Sequence, residues 1–211
     1  MNRERQLTGS NGYGRELRFE IDQWLQSLGP SSHARWLDVC CGSGIALVEA
    51  AELMKKQRRE KLLVIEGIDL AGHFVHHMYD PFLKFQKTSI EAWKSEFEYD
   101  LITCVHGLHY ISDKLGAICK LVNCLTIRGR FLANIDLTNL VLEDGRGAGR
   151  PIIKCLRERG IEYDSRYRLL KCIGKKSLTG LEFEYVGADD QAGPNYTGQP
   201  AVNSCYRVAK N

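Results

Sequence analysis

The sequence predicts an α/β fold, and three observations carry that expectation. Short apolar runs alternate with stretches of helical periodicity, a glycine-bearing turn follows the first such run, and 44% apolar content over 211 residues suffices for one compact core. Alternation of this kind implies right-handed βαβ crossovers, hence a mostly parallel sheet with helices on both faces, a three-layer sandwich.

The elements follow in order. Glu16 to Leu28 places Leu17, Ile21, Trp24, Leu25 and Leu28 at helical spacing, and Gly29-Pro30 stops that leader helix. Trp36 to Cys40 is a strand entering the glycine turn, and Ile45 to Arg59 carries Leu47, Ala50, Ala51 and Met54 on one helical face. Leu62 to Ile68 is a β-branched run of the kind buried on both faces of a parallel sheet, ending in Asp69. A weak helix over Gly72 to Tyr79 stops at Asp80-Pro81, and Phe82 to Thr88 alternates as a third strand. Tyr99 to Val105 is the fourth strand, Lys114 to Thr126 a helix, and Phe131 to Leu137 the fifth strand. A helix near Pro151 to Arg159 precedes two runs, Tyr167 to Ile173 and Leu181 to Val186. The short joint between them, Gly174 to Gly180, predicts an antiparallel hairpin closing the sheet. No repeat or Pro-rich linker divides the chain, so one domain is expected: a leader or lid over 1–33, a cofactor-binding half over 34–137, and a hairpin and tail over 138–211.

Composition narrows the function classes. A formal charge of +3, from 29 Lys and Arg against 26 Asp and Glu, is too small for a chain-wide grip on nucleic acid. The basic clusters Lys55-Lys56, Arg58-Arg59, Arg146 to Arg150 and Lys175-Lys176 are mostly interleaved with acids and lack an aromatic stripe. Apolar stretches fall far short of the ~20 residues of a bilayer span, and the N-terminus lacks a secretory pattern, so a cytoplasmic, non-membrane protein is expected. Eight scattered cysteines without a C-x-x-C pair read as reduced, packed thiols rather than zinc ligands.

The chemistry-bearing motif is Asp38-Val39-Cys40-Cys41-Gly42-Ser43-Gly44, where glycines let backbone approach a ligand at the carboxyl edge of the sheet. Asp69 ends the second strand 25 residues after Gly44, placed to accept hydrogen bonds from both hydroxyls of a ribose. A dinucleotide fingerprint would require a small residue where Leu47 stands, which argues against a nicotinamide cofactor. The stretch from Leu37 to Gly44 resembles the first motif of the class I, Rossmann-like S-adenosylmethionine-dependent methyltransferases, in its Cys-containing form. Cys40 stands at the place of the first glycine. Gly67-Ile68-Asp69-Leu70 is similar to the second motif, and Tyr99 to Tyr110 to the fourth strand with its Leu-His end; the likeness covers about residues 34 to 137.

The resemblance implies a seven-stranded sheet in order 3-2-1-4-5-7-6 with strand 7 antiparallel, S-adenosyl-L-methionine as cofactor with S-adenosyl-L-homocysteine as product, and no metal. It also implies cofactor contacts from Asp38, Cys40, Gly42, Gly44, Asp69, Leu70 on the adenine, and Val105. Ser89 and Ile90 occupy the third motif's place, where an acid and a small residue are usual.

His106 and His109 follow the fourth strand, and a neutral imidazole there can take a proton from a hydroxyl or amine, so both are candidate catalytic bases. His76 and His77 read as solvent-facing. Arg15, in the glycine-flanked leader segment from Asn11 to Glu16, could clamp the cofactor carboxylate, with Tyr13 beside the acceptor. The turn-rich stretch from Gly187 to Pro200 could shape the acceptor pocket through Asn195 and Tyr196. The expected activity is methyl transfer to an oxygen or nitrogen atom of a small molecule. The alternatives are an RNA or protein methyltransferase, for which no Asn/Asp-Pro-Pro-Tyr motif follows the fourth strand, and a module that binds the cofactor without chemistry.

Overall fold

A computed structural model describes residues 4–75 and 80–209. Two short helices, α1 (Tyr13–Leu17) and α2 (Ile21–Ser27), open the chain. They are followed by β1 (Ala34–Val39), α3 (Ile45–Lys56), β2 (Leu63–Asp69), β3 (Leu83–Lys87) and β4 (Tyr99–Cys104). After these come α4 (Lys114–Asn123), β5 (Leu125–Asn134), β6 (Leu140–Leu142), α5 (Gly149–Glu158), β7 (Ile161–Asp164), β8 (Leu169–Ile173), β9 (Phe183–Asp189) and β10 (Asn203–Val208). Seven strands form one sheet in the order β3-β2-β1-β4-β5-β8-β7; β6-β10-β9 form a second, three-stranded sheet. With β7 and β8 counted as strands 6 and 7 of the main sheet, this is the expected order. The chain divides into two compact units, residues 1–105 and 106–211.

In the first unit β3, β2, β1 and β4 pair in parallel, with Trp36 opposite both Ile65 and Leu101. Trp36 and Leu37, on opposite faces of β1, are both fully buried, which is why the run reads as continuous rather than alternating. The leader differs from the single helix expected. Arg18 adopts a left-handed conformation, φ +52, and caps α1 by donating its amide to the Gly14 carbonyl. Leu17, Ile21 and Leu25 are nonetheless all fully buried, because their spacing survives the break and aims all three inward. Ala71 to Val75 is not helical, and the rest of the expected weak helix, with His76 and His77, lies outside the described residues.

In the second unit β8 pairs antiparallel with both β5 and β7. The expected hairpin therefore sits one strand earlier: β8 turns back from β7 through Ser165 to Arg168, with Arg168 at φ +50. The run expected to pair with β8 is β9, which instead pairs antiparallel with β10 in the second sheet. The fifth strand also starts earlier than expected, at Leu125, directly after the Cys124 cap of α4. Lys114 ties β10 to α4: its buried ammonium donates to the carbonyls of Ile111 (3.0 Å) and Val202 (2.5 Å) and to Ser204 Oγ (3.2 Å). Burial pushes that amine down to about 8. Among the described residues no helix is long and apolar enough to cross a membrane.

Candidate functional site

The turn after β1 is built on three alternate residues in the left-handed region, Cys40 (φ +58), Gly42 (φ +62) and Gly44 (φ +77). Cys40 thus takes a backbone conformation usual for glycine, at a strain cost of roughly 1–2 kcal/mol. At Gly44 a Cβ would lie 2.4 Å from the Phe85 ring. Gly44→Ala therefore combines backbone strain with overpacking, and a loss of about 2–4 kcal/mol is expected in urea unfolding; a variant as stable as the parent would contradict this packing. Leu47, too bulky for a dinucleotide turn, is accommodated from the strand side: a Cβ on Gly67 would fall 2.6 Å from its Cδ1. The close helix-to-strand approach is made by a glycine in β2 instead of one in α3.

Asp69 closes this turn. Its Oδ2 accepts from the Gly42 amide at 3.0 Å and its Oδ1 from the Ala71 amide at 2.8 Å. Each carboxylate oxygen has two acceptor positions, so both can still receive a hydroxyl. The next residue, Leu70, is 69% exposed, an apolar side chain displayed beside a held carboxylate. This pairing fits a nucleoside: a diol on the acid and an aromatic base on the leucine. Ser89 Oγ accepts from the Ala92 amide at 3.2 Å, and Ile90 and Val105, the latter after β4, are buried.

Three residues expected at the ligand also make contacts within the protein. Tyr13 is buried, and its hydroxyl donates to Asp38 Oδ2 at 2.7 Å. Asp38 is fully buried as well; its Oδ1 accepts from Thr103 Oγ1 at 2.5 Å, and Trp36 Nε1 donates to that hydroxyl at 2.8 Å. Arg15 is exposed and donates to the Ser10 carbonyl at 2.9 Å. The leader is therefore pinned to β1 by a buried phenol–carboxylate pair. Burial pushes the Asp38 carboxyl up to about 7, against the opposing hydrogen bonds from Thr103 and Tyr13. Since an unfolded aspartate titrates near ~3.9, this group favours the fold most at low pH, and the benefit is lost as pH rises toward 7. The melting temperature of the parent minus that of Asp38→Asn should accordingly be larger at about pH 5 than at about pH 8; a gap independent of pH would count against this ionisation.

In the second unit His106, at φ +55, precedes a short 3-10 turn over Gly107–Tyr110. The Tyr196 hydroxyl lies 3.0 Å from His106 Nδ1, and the His109 ring meets Tyr196 edge-on at 5.3 Å. His109 is fully buried, and neither ring nitrogen has a hydrogen-bond partner among the described residues. Burial, reinforced by His106, pushes its pKa down to about 3, so it stays neutral at ordinary pH. Tyr196 is held from three sides. Its amide donates to Asp136 Oδ2 at 3.1 Å, the Arg168 guanidinium lies 4.0 Å from its ring centroid, and Asn195 Oδ1 accepts from the Thr197 and Gln199 amides. Asn195, expected on the substrate, is thus the staple of its own loop. Asp136 and Arg168 were not singled out from sequence. The signal for them was the β5–β8 register, in which Ile135 donates its amide to the Arg168 carbonyl at 2.8 Å.

A family model described as a methyltransferase domain matches residues 13–166. No curated protein matches. Among solved structures, the plantazolicin methyltransferase BpumL, in complex with a monoazolic desmethylPZN analog and SAH, is 19% identical; the match covers 56% of this chain and 45% of that one, at a TM-score of 0.44. A putative S-adenosylmethionine dependent methyltransferase from Listeria monocytogenes is 15% identical, with 90% and 99% coverage and a TM-score of 0.43. CalS10, an amino pentose methyltransferase from Micromonospora echinaspora, is 18% identical, with 59% and 51% coverage and a TM-score of 0.41. The match to BpumL therefore spans less than half the length of that chain.

Proposed function

The chain belongs to the methyltransferase-domain family, its match to that model running over residues 13–166, and from that premise we propose that it uses S-adenosylmethionine to methylate an oxygen or nitrogen atom of a small molecule. The observation that carries the cofactor assignment is Asp69, clamped by the Gly42 and Ala71 amides, with Leu70 exposed beside it. When bound, the cofactor supplies a methyl group made electrophilic by its sulfonium, so the protein is left to align, desolvate and deprotonate the acceptor.

Asp69 would hold the ribose, Leu70 the adenine face, and the turn at Cys40, Gly42 and Gly44 the backbone of the cofactor's tail. His106 would accept the acceptor's proton. It directly follows Val105 at the carboxyl end of β4, the edge at which open α/β sheets bind ligands. His109 serves better as a wall than as a base, since a group titrating near 3 holds a proton too weakly for the task.

Calorimetric titration with S-adenosylmethionine, followed by mass detection of methylated products over an acceptor panel, tests the proposal. Heat together with turnover supports it. Heat with no turnover on any alcohol, phenol or amine points to a binding module, and no heat at all removes the cofactor assignment.

A further inference from the structure

The contact between Tyr196 and His106 bears on the acceptor itself. A phenol hydroxyl already rests on the imidazole nitrogen proposed as the base, at 3.0 Å, and its ring packs T-shaped against His109, at 5.3 Å and 84°, with the Arg168 guanidinium over it at 4.0 Å from the centroid. In the same cluster the fully buried His109 keeps two ring nitrogens without a partner among the described residues. A buried polar group left so is costly, and an occupant with a polar edge would relieve it.

We infer that Tyr196 occupies the acceptor's place on His106, and that the acceptor is an aryl alcohol whose hydroxyl replaces the Tyr196 hydroxyl at His106 Nδ1. This rests on the methyl-transfer reading above. Two features favour an aryl over a saturated alcohol. The surroundings of the Tyr196 ring, an imidazole in T-shaped contact and a guanidinium over its face, attract an aromatic ring and have no such attraction for a saturated one. An aryl hydroxyl, ionising near ~10, also yields its proton to an imidazole far more readily than an aliphatic alcohol does.

Displacing Tyr196 does not require unfolding its loop. The backbone is anchored through its amide to Asp136, whereas the residue is 39% exposed, so rotation about χ1 carries the phenol outward. In the reaction the aryl O–H bond breaks and its proton passes to His106 Nδ1. The oxygen's electron pair forms the new bond to the methyl carbon as the methyl–sulfur bond breaks. The electron pair of the broken methyl–sulfur bond would stay on sulfur and cancel the sulfonium charge, and His106 would then return the proton to water.

The test measures S-adenosylhomocysteine formation at saturating S-adenosylmethionine with simple and ortho-substituted phenols, the matching cyclohexanols, anilines and cyclohexylamines. The parent and Tyr196→Phe are compared, with circular dichroism as a folding check. Phenols should exceed the saturated alcohols and the amines by about 100-fold or more in kcat/KM. Tyr196→Phe keeps the ring but removes the competing hydroxyl, so KM for phenols should fall about three- to tenfold with kcat retained. Equal turnover of saturated alcohols or amines overturns the inference, as does a raised KM in Tyr196→Phe. If the cofactor binds with heat and an alcohol or amine is methylated but no phenol is, this inference falls while the methyl-transfer reading stands; heat with no turnover on any acceptor removes both. If the cofactor gives no heat, both fall.

Discussion

Asp69→Ala should weaken binding of both S-adenosylmethionine and S-adenosylhomocysteine by about 1–3 kcal/mol, roughly 5- to 150-fold, with the cooperative unfolding of the protein preserved. The effect has two sources. The substitution removes the acceptor for the ribose diol, and it releases the Gly42 and Ala71 amides, which at 3.0 and 2.8 Å hold the turn against the end of β2. Asp69→Asn separates these, since one amide oxygen can keep an accepting contact while the carboxylate charge is lost. Calorimetry should place the asparagine variant between the parent and the alanine variant. Binding unchanged in both would remove the ribose assignment, and an effect confined to one of the two cofactor forms would point away from a sugar contact, because the sugar is common to both.

The parts of this molecule that were legible in the sequence are those set by short-range constraints. The β1–turn–α3 unit shows itself because buried parallel strands are apolar without interruption and because left-handed turn positions select glycine or a small stand-in such as Cys40. Strand pairing is another matter. Periodicity marks Tyr167 to Ile173 as a strand without saying which neighbour it takes. The true partner, Ile161–Asp164, is only four residues long and includes two acids, so the longer run at Leu181 to Val186 reads as the better candidate. β10 was invisible for a similar reason. Asn203, Ser204 and Arg207 hide it, although Ser204 and Tyr206 are fully buried.

Polar partnerships at long range were the least legible. Nothing local in Asn11 to Glu16 says that the Tyr13 hydroxyl donates to a buried carboxylate in β1. The same holds for Tyr196, whose three supports come from β5's end, the β7–β8 turn and its own loop. The choice between His106 and His109 likewise depends on burial: the two look equivalent in sequence, but only His106 combines partial exposure with a hydroxyl already at its nitrogen.

His106→Asn is the sharpest test of the proposed chemistry. Asparagine tolerates the left-handed backbone at φ +55, so folding should survive, yet it cannot accept a proton at neutral pH. Loss of a positioned general base costs about 100- to 10,000-fold, and that loss should fall on kcat, with S-adenosylmethionine affinity by calorimetry unchanged. His109→Asn provides the contrast. Its ring titrates near 3 and is fully buried, so its replacement should act through packing, lowering the melting temperature and leaving kcat within a few-fold of the parent. Reversed outcomes, with turnover lost at His109 and kept at His106, would exchange the two assignments. Turnover kept in both variants would mean that alignment and desolvation alone drive the transfer, as they can when the acceptor already carries a free lone pair.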